Sequence, residues 1–268
     1  MEPVLPITAP KPLGRLVLMP NTLDLGTGQA GNLQAVLPSA AIERAAGLRH
    51  WVVENAKSTR AFLKRVDALC PLALPLQALD IRELPRALKG QASTSPQQVQ
   101  ATLQALRDLL APAQQGADIG LLSEAGLPAV ADPGSELVAQ AHALGIAVEP
   151  WSGPSSLMLA LAASGLGGQH FSFVGYLPVD DAARAARIRE LDAVSRRLGQ
   201  TQIAIETPYR NAALWQALTT HLQATTRLSV ACGLTLDGGW CRTASVAQWR
   251  QERIVWDSHR PAVMLWLG

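Results

Sequence analysis

Two segments of this chain share one order of features, in which a short apolar run gives way to a turn and then to a helical pattern. The first, LLSEAGLPAVADPG, spans 121–134, and the second, VEPWSGPSS, spans 148–156. In α/β folds such turns follow parallel strands, where helix N-termini present unpaired N–H groups to a ligand. The two segments therefore constrain the chain to an α/β architecture and predict that both turns line one pocket.

Strands and helices alternate along the first part of the chain. We predict strands at 15–19, 50–54, 117–122 and 146–149, and helices at 38–46, 55–69, 95–110, 135–144 and 155–163. This alternation is typical of a parallel sheet with helical crossovers. The glycine-rich segment 164–169 is the candidate hinge, because it leaves the backbone little constrained.

After the hinge the pattern changes to a mixed one. We predict strands at 171–175, 202–206, 228–234, 241–246 and 262–267, and helices at 180–198, 211–223 and 247–251. The turn at 237–239 indicates a hairpin, and hence antiparallel pairs. The sequence thus predicts two α/β domains, 1–166 with a parallel sheet and 167–268 with a mixed sheet.

Composition and the pattern of apolar residues argue against a membrane-spanning or secreted protein. Of 268 residues, 48% are hydrophobic and 16% are charged, which suits one or two buried cores. No apolar run approaches the ~20 residues that cross a bilayer, and the N-terminus lacks a signal-peptide pattern. We therefore expect a cytoplasmic protein with no membrane association.

The sequence contains little evidence of a metal site or of a dedicated phosphate-binding surface. The three cysteines fit no metal template, and the five histidines are scattered singly, so we expect no metal site. The formal net charge is only +2, although residues 169–268 carry 11 Lys and Arg against 8 Asp and Glu. This balance is compatible with a phosphate-bearing partner without requiring one.

A glycine motif at 26–31, GTGQAG, matches the dinucleotide-binding fingerprint, and Glu54 lies where an acid would hold a ribose hydroxyl. The fingerprint should begin at a strand end and lead into a long helix. Here residues 20–25 separate the motif from the strand, and Pro38 interrupts the segment after the motif. We favour a loop, with a nucleotide-binding oxidoreductase as the alternative.

The turn at 152–156 presents N–H groups and two hydroxyls at the start of a helix. A helix end contributes only ~0.3–1 kcal/mol to anion binding, whereas micromolar affinity needs about −8 kcal/mol. The 123–134 turn must therefore supply further contacts. Ordinary helix capping by Ser155 and Ser156 is the competing interpretation, as is a plain turn and cap for 132–134. The spacing around Ser155 also differs from that of a nucleophile elbow.

Six motifs carry a resemblance to a known family: SEAGLP at 123–128, DPG at 132–134, GPSS at 153–156, ASGL at 163–166, FVGYLP at 173–178 and ETPYR at 206–210. In this order they resemble the tetrapyrrole-methylase-like S-adenosylmethionine (SAM) methyltransferases. The branch that they look most like is the ribosomal RNA small-subunit methyltransferase I family, which methylates a ribose 2′-hydroxyl. Before residue 117 the chain departs from that family, with PNTLDLG at 20–26 and VENAKSTR at 53–60.

The resemblance implies a two-domain tetrapyrrole-methylase-like (class III methyltransferase) α/β fold, with SAM in the cleft between the domains of each subunit of a homodimer. By motif, the first turn would contact SAM through Ser123, Glu124, Ala125, Val130, Ala131 and Asp132. The second turn would do so through Ser152, Gly153, Pro154, Ser155 and Ser156, and the adenosine would lie by Thr207, Pro208 and Ala262. A positive sulfur also favours carboxylates nearby, which suits Glu124 and Asp132.

Methylation of a ribose hydroxyl releases a proton, which a carboxylate or water can accept. The catalytic candidates are Glu54 and Glu124, and Arg60 and Arg210 are candidate phosphate clamps for ribosomal RNA or the small ribosomal subunit. Two alternatives remain open. One is methylation of a small, tetrapyrrole-like molecule, and the other is a SAM-binding protein without activity on RNA.

Overall fold

The computed structural model describes residues 12–24, 26–27, 31–85 and 95–268. Contacts between residues divide the chain into two compact units. The first comprises the described residues up to Asn21 together with Leu33–Gly153, and the second the described residues of Thr22–Asn32 together with Pro154–Gly268.

The first unit is a parallel sheet with helical crossovers. Its elements are β1 (Arg15–Leu18), α1 (Leu33–Val36), α2 (Ser39–Ala46), β2 (His50–Val53), α3 (Ala56–Asp67), β3 (Asp80–Glu83), α4 (Pro96–Leu109), α5 (Ala111–Gln114), β4 (Ile119–Leu122), α6 (Ser135–Ala143) and β5 (Ala147–Pro150). The strand order is β3-β2-β4-β1-β5, and every pair is parallel. The predicted parallel sheet is confirmed, and the carboxyl ends of its strands lie at one edge.

Two helices of this unit begin at N-cap residues that the sequence indicates. The Asn55 side chain accepts hydrogen bonds from the N–H groups of Lys57 and Ser58 and so begins α3. Ser95 and Gln98 form a capping box ahead of α4, which has Pro96 in its first turn.

Apolar side chains cover both faces of the first sheet, as a parallel sheet requires. One buried cluster includes Trp51, Phe62 and Leu63. The other includes Leu110 and Leu137. All four residues of β4, the central strand, are buried.

The sheet has a fifth strand, β3, that the sequence analysis did not predict. Its sequence, DIRE, is short and polar, and none of its residues is fully buried. It lies at the sheet edge, and within the described part of the chain β2 is its one partner. A strand of this kind depends on its partner rather than on an apolar pattern, so periodicity could not identify it.

The second unit contains a mixed sheet. Its elements are α7 (Ser156–Ser164), β6 (Phe171–Gly175), α8 (Asp181–Leu198), β7 (Thr201–Glu206), α9 (Asn211–His221), β8 (Arg227–Cys232), β9 (Trp240–Ser245), α10 (Val246–Trp249) and β10 (Ala262–Leu267). The strand order is β6-β7-β10-β8-β9. The β6–β7 pair is parallel and the other three pairs are antiparallel, so the predicted mixed sheet is confirmed.

The boundary between the units differs from the expected one at 166/167, because α7 belongs to the second unit. Leu157, Ala160 and Leu161 of this helix pack in one cluster with residues of the second sheet. The glycine-rich segment after α7 is also hydrogen-bonded there, since Thr201 Oγ1 donates to the carbonyl of Leu166 at 2.8 Å. The contacts therefore change from one unit to the other at Gly153/Pro154.

Within the part of the chain that the structure describes, every helix is too short or too polar to span a bilayer. The same residues include no group of three or more His, Cys, Asp or Glu arranged to hold a metal ion.

Candidate functional site

The loops that follow β1, β2, β4 and β5 all begin at the carboxyl edge of the first sheet. Backbone hydrogen bonds continue past the strands, from Met19 N–H to the Leu121 carbonyl at 2.9 Å and from Glu54 N–H to the Leu122 carbonyl at 3.2 Å. Because β4 and β5 both pair with β1, the starts of the two predicted turns lie on either side of the β1 loop.

Asn21 fastens the turn after β4 to the loop after β1. This side chain is buried, and its Nδ2 donates to the carbonyls of Ser123 at 3.0 Å and Glu124 at 3.1 Å. Its own N–H donates to the carbonyl of Gly126 at 2.8 Å. The sequence analysis gave Asn21 no role. In the sequence, Asn21 is a single amide side chain in the turn that departs from the family pattern. The hydrogen-bond partners of its side chain lie 102 and 103 positions away along the chain.

The two candidate catalytic acids are brought together. Glu54 Oε2 accepts a hydrogen bond from the backbone N–H of Glu124 at 3.1 Å. One of the two acids therefore holds the backbone of the other. The carboxylate of Glu124 has no hydrogen-bond or ion-pair partner among the described residues.

The 123–134 turn has a strained backbone. Ala129 and Ala131 have φ values of 64° and 63°, in the left-handed region that residues with a Cβ rarely adopt. Such conformations cost of order 1–3 kcal/mol each and persist only where surrounding contacts fix them. Val130, between the two, exposes 44% of its surface. The turn thus presents a fixed apolar side chain to any ligand that it binds.

Asp132, in the same turn, has a strongly altered acidity. Burial raises the pKa of its carboxyl from 3.8 to about 7, and the negative charges of Glu54 and Glu124 act in the same direction. Neither a hydrogen-bond donor nor a cation contacts Asp132 among the described residues. Burial thus keeps this carboxyl partly protonated near neutral pH.

Ser123 has a buried hydroxyl without a partner. The residue is 3% exposed, and its Oγ makes no hydrogen bond within the described residues. A buried hydroxyl that lacks a hydrogen bond costs about 1–3 kcal/mol. A polar ligand group at this turn would relieve that cost, which makes Ser123 suited to a binding role.

Close packing requires glycine at position 153, whereas serine at position 155 caps a helix. A Cβ added to Gly153 would lie 2.1 Å from Cβ of Pro20, so only glycine fits against the β1 loop. Ser155 is the N-cap of α7 and accepts from Met158 N–H at 3.4 Å. Of the other predicted residues here, Ser152 is exposed, Pro154 is buried and Ser156 begins α7.

The three predicted adenosine contacts lie at one edge of the second sheet. Ala262, the first residue of β10, pairs with Glu206, the last residue of β7. Thr207 follows directly, and its N–H donates to Glu206 Oε1 at 2.8 Å. Pro208 begins the 3-10 turn Pro208–Arg210.

The two predicted phosphate clamps have different surroundings. Arg210 Nη2 forms an ion pair with Glu206 Oε2 at 3.1 Å, and that carboxylate is almost fully buried. Arg60 is exposed, and among the described residues its Nη1 donates to the carbonyl of Ala56 alone, at 3.3 Å. Arg60 therefore has the more available charge, while Arg210 neutralises a buried acid.

Comparison with protein families identifies the chain. The family model of the tetrapyrrole (corrin/porphyrin) methylases matches residues 50–244. This chain belongs to that family. The match contains the whole 123–134 turn, Gly153 and the 206–210 motif, and it excludes β1 and β10.

Known relatives of this tetrapyrrole methylase family member match shorter segments. Ribosomal RNA small subunit methyltransferase I of Pseudomonas aeruginosa is 43% identical over 97 residues, which are 36% of this chain and 33% of that protein. The protein of the same name from Mesorhizobium japonicum is 34% identical over 160 residues, 60% of this chain and 53% of that protein. The chain thus spans about half or less of the length of these relatives.

A solved structure extends the likeness to the whole fold. Uroporphyrin-III C-methyltransferase from Thermus thermophilus, complexed with S-adenyl homocysteine, aligns with a TM-score of 0.53 and 16% identity. The alignment covers 95% of this chain and 98% of that one. The predicted two-domain tetrapyrrole-methylase-like fold is confirmed.

Proposed function

We propose that this chain is a SAM-dependent methyltransferase that modifies a ribose 2′-hydroxyl of small-subunit ribosomal RNA. The observation that carries the proposal is the rigid turn after β4, which Asn21 and Glu54 hold at the carboxyl edge of the first sheet. Because the chain belongs to a family of methylases, a methyl donor is the expected ligand, and we propose that it binds at that turn. The names of the relatives support ribosomal RNA as the acceptor.

The residues of the turn fit SAM chemically. Ser123 offers a buried hydroxyl that lacks a partner, and Glu124 and Asp132 offer carboxyls that complement a cation. Val130 offers apolar surface. The residues proposed to hold SAM are Ser123, Glu124, Ala125, Val130, Ala131, Asp132, Ser152, Gly153, Pro154, Ser155 and Ser156, with Thr207, Pro208 and Ala262 for the adenosine. Bound SAM supplies an activated methyl group on a positively charged sulfur.

The protein's own contribution is alignment, exclusion of water and control of one proton. Glu124 is the candidate acceptor of the hydroxyl proton, because its carboxylate has no competing partner in the described part of the chain. Glu54, the second catalytic candidate, holds the backbone of Glu124 through the hydrogen bond from its N–H.

Recognition of RNA is proposed for Arg60 and for two exposed aromatic side chains. Tyr176 and Tyr209, the only tyrosines of the chain, are 58% and 73% exposed. They follow β6 and β7, which are parallel neighbours, so both lie at one edge of the second sheet. Exposed aromatic rings of this kind stack on unpaired bases.

A transfer assay tests the proposal. Purified protein is incubated with methyl-labelled SAM and small ribosomal subunits from a strain that lacks the corresponding gene. We expect one labelled ribose 2′-O-methyl nucleotide per subunit, found by digestion and mass spectrometry, and none with Glu124→Ala of unchanged circular dichroism. Binding of SAM without labelling of any subunit would refute the RNA substrate.

Methylation of a tetrapyrrole is the second candidate, which the family description and the solved relative favour. The same assay with a porphyrin-type acceptor in place of subunits distinguishes the two. The homodimer stays a prediction, and sedimentation velocity is its test.

A further inference from the structure

We propose that an acidic group, formed by Glu54, Glu124 and Asp132, distinguishes the cationic methyl donor from the neutral spent cofactor by releasing a proton when the donor binds. The proposal rests on the proposed function, because it requires SAM to bind at the 123–134 turn. It adds a property that family membership does not supply, namely selectivity between two ligands that differ by one methyl group and one charge.

The acidic group is built by two neighbouring strands. Glu54 follows β2, while Glu124 and Asp132 belong to the turn after β4, and these strands pair directly. The hydrogen bond from Glu124 N–H to Glu54 Oε2 fixes the two loops to each other. Ala129 and Ala131, on either side of Val130 just before Asp132, have left-handed backbone conformations that persist only where surrounding contacts hold them.

Around Asp132, the described residues supply no positive charge that acts on its carboxyl. The groups that act on its carboxyl are Glu54 and Glu124, both negative, and no cation acts on it within the described residues. Glu124 likewise has no ion-pair partner there. Asp132 and Glu124, which have no cation partner among the described residues, therefore favour a positively charged ligand.

An independent observation, the buried hydroxyl of Ser123, also indicates a ligand at this place. Ser123 directly follows β4, and alternate residues of a strand point to the same face, so its side chain shares the face of Leu121. The end of the turn folds over that face, since a Cβ at Gly134 would lie 3.1 Å from Leu121 Cδ2. The hydroxyl without a partner is therefore directed toward the stretch that contains Asp132.

The proton of Asp132 reports on charge in the site. Its pKa is raised to about 7 by burial and by two negative neighbours, so a positive charge nearby must lower it. SAM carries a positive sulfur, whereas S-adenosylhomocysteine carries a neutral sulfide and is otherwise the same. Binding of SAM should thus send the proton of Asp132 to solvent, and binding of S-adenosylhomocysteine should not.

The selectivity has a defined dependence on pH. Where Asp132 is protonated, SAM must displace the proton, which weakens its binding, and where Asp132 is ionised there is no such cost. For one linked proton and a pKa of about 7, the affinity for SAM relative to S-adenosylhomocysteine should rise about tenfold between pH 6 and pH 8.

Calorimetry of the full chain tests the proposal without measuring activity. SAM and S-adenosylhomocysteine are titrated at pH 6, 7 and 8, each in two buffers of different ionisation enthalpy, which counts the protons released. For SAM we expect close to one proton at pH 6 and almost none at pH 8. For S-adenosylhomocysteine we expect little release at any of these pH values.

Three variants sharpen the test. Asp132→Asn should abolish the proton release and make the affinity ratio independent of pH. Glu54→Gln removes one negative neighbour and should move the release to lower pH, which keeps the test available if Asp132→Asn fails to fold. Glu136→Gln, at an exposed acid of the same region that does not act on Asp132, is the matched control and should behave as wild type.

Different results would overturn the proposed selectivity and the proposed methyltransferase function. Equal proton release and parallel pH dependence for the two ligands would overturn the selectivity while leaving the methyltransferase proposal intact. Failure of both ligands to bind at every pH would overturn the two together.

Discussion

Single residues after β4 are fixed by side chains from distant loops. Asn21 holds the carbonyls of Ser123 and Glu124, and Glu54 holds the N–H of Glu124. These hydrogen bonds tie the turn to the loops after β1 and β2. Rigid groups bind with less loss of conformational entropy, which suits the proposed role of this turn in holding a methyl donor.

Asp132 makes stability depend on pH in a direction that its acidity defines. The folded carboxyl has a pKa of about 7 and the unfolded one 3.8, so only the folded state holds the proton between these values. Stability should fall as pH rises through this range. Asp132→Asn should therefore raise the Tm at pH 8 by about 2–4 °C, after allowance for partial solvent exposure, and leave it unchanged near pH 4. Thermal denaturation at both pH values measures this, and an equal shift at both would contradict it.

Gly153 is required by the closeness of Pro20. Gly153→Ala forces a Cβ to 2.1 Å from Cβ of Pro20, and we expect a loss of about 1–3 kcal/mol in the free energy of unfolding. Gly168→Ala is the control, because its new Cβ would meet nothing nearer than 3.8 Å. Urea denaturation of both variants measures the difference. Equal stability of the two would show that the β1 loop yields to the added methyl group.

The residues of the turn could be identified from the sequence, but their contacts could not. Ser123, Glu124 and Asp132 occur in local motifs whose order along the chain carries the resemblance. Asn21 occurs in a turn that departs from the family, and its partners lie 102 and 103 positions away. The pKa of Asp132 depends on the same long-range packing, because Glu54 comes from another strand.

At the scale of elements, strands with apolar or alternating patterns were predictable, and elements defined by tertiary partners were not. The buried strand β4 has four consecutive apolar or small residues, whereas β3 is polar and depends on β2. The assignment of α7 to the second unit follows from the sheet against which its apolar residues pack. Nothing in its own sequence specifies that partner.

Ser155 is the N-cap of α7, and its hydroxyl oxygen accepts a hydrogen bond from Met158 N–H. Ser155→Ala should cost about 1 kcal/mol of stability, because the Met158 N–H loses its acceptor. Ser155→Asn should restore most of it, since asparagine caps as well as serine does. Denaturation measures both variants. A Ser155→Ala variant as stable as wild type would show that the cap contributes little.

Arg210, in the connection from β7 to α9, is paired with a buried acid, whereas Arg60 of α3 is exposed. Arg210→Ala leaves the buried Glu206 carboxylate without its cation, and we expect a loss of about 1–3 kcal/mol of stability. Arg60→Ala should leave stability within about 0.5 kcal/mol and instead weaken binding to small subunits. Denaturation and filter binding measured on both variants test the contrast. Strong RNA loss in a fully stable Arg210→Ala would instead support the phosphate-clamp prediction.

The molecule as a whole comprises a parallel and a mixed α/β unit and belongs to a family of methylases. The glycine motif at 26–31 offers a competing ligand site, although residues 28–30 lie outside the described part of the chain. The helix that comes after it, α1, has only four residues, whereas a dinucleotide fingerprint leads into a long helix. The turn after β4 is therefore the better-supported site.

The most direct test of the central claim is a crystal structure of the full chain with bound SAM. We expect SAM density at the turn after β4, with a polar atom of the ligand within hydrogen-bond distance of Ser123 Oγ and the acidic group nearest its positive charge. SAM bound at residues 26–31, or anywhere else that leaves the Ser123 hydroxyl without a partner, would contradict the account.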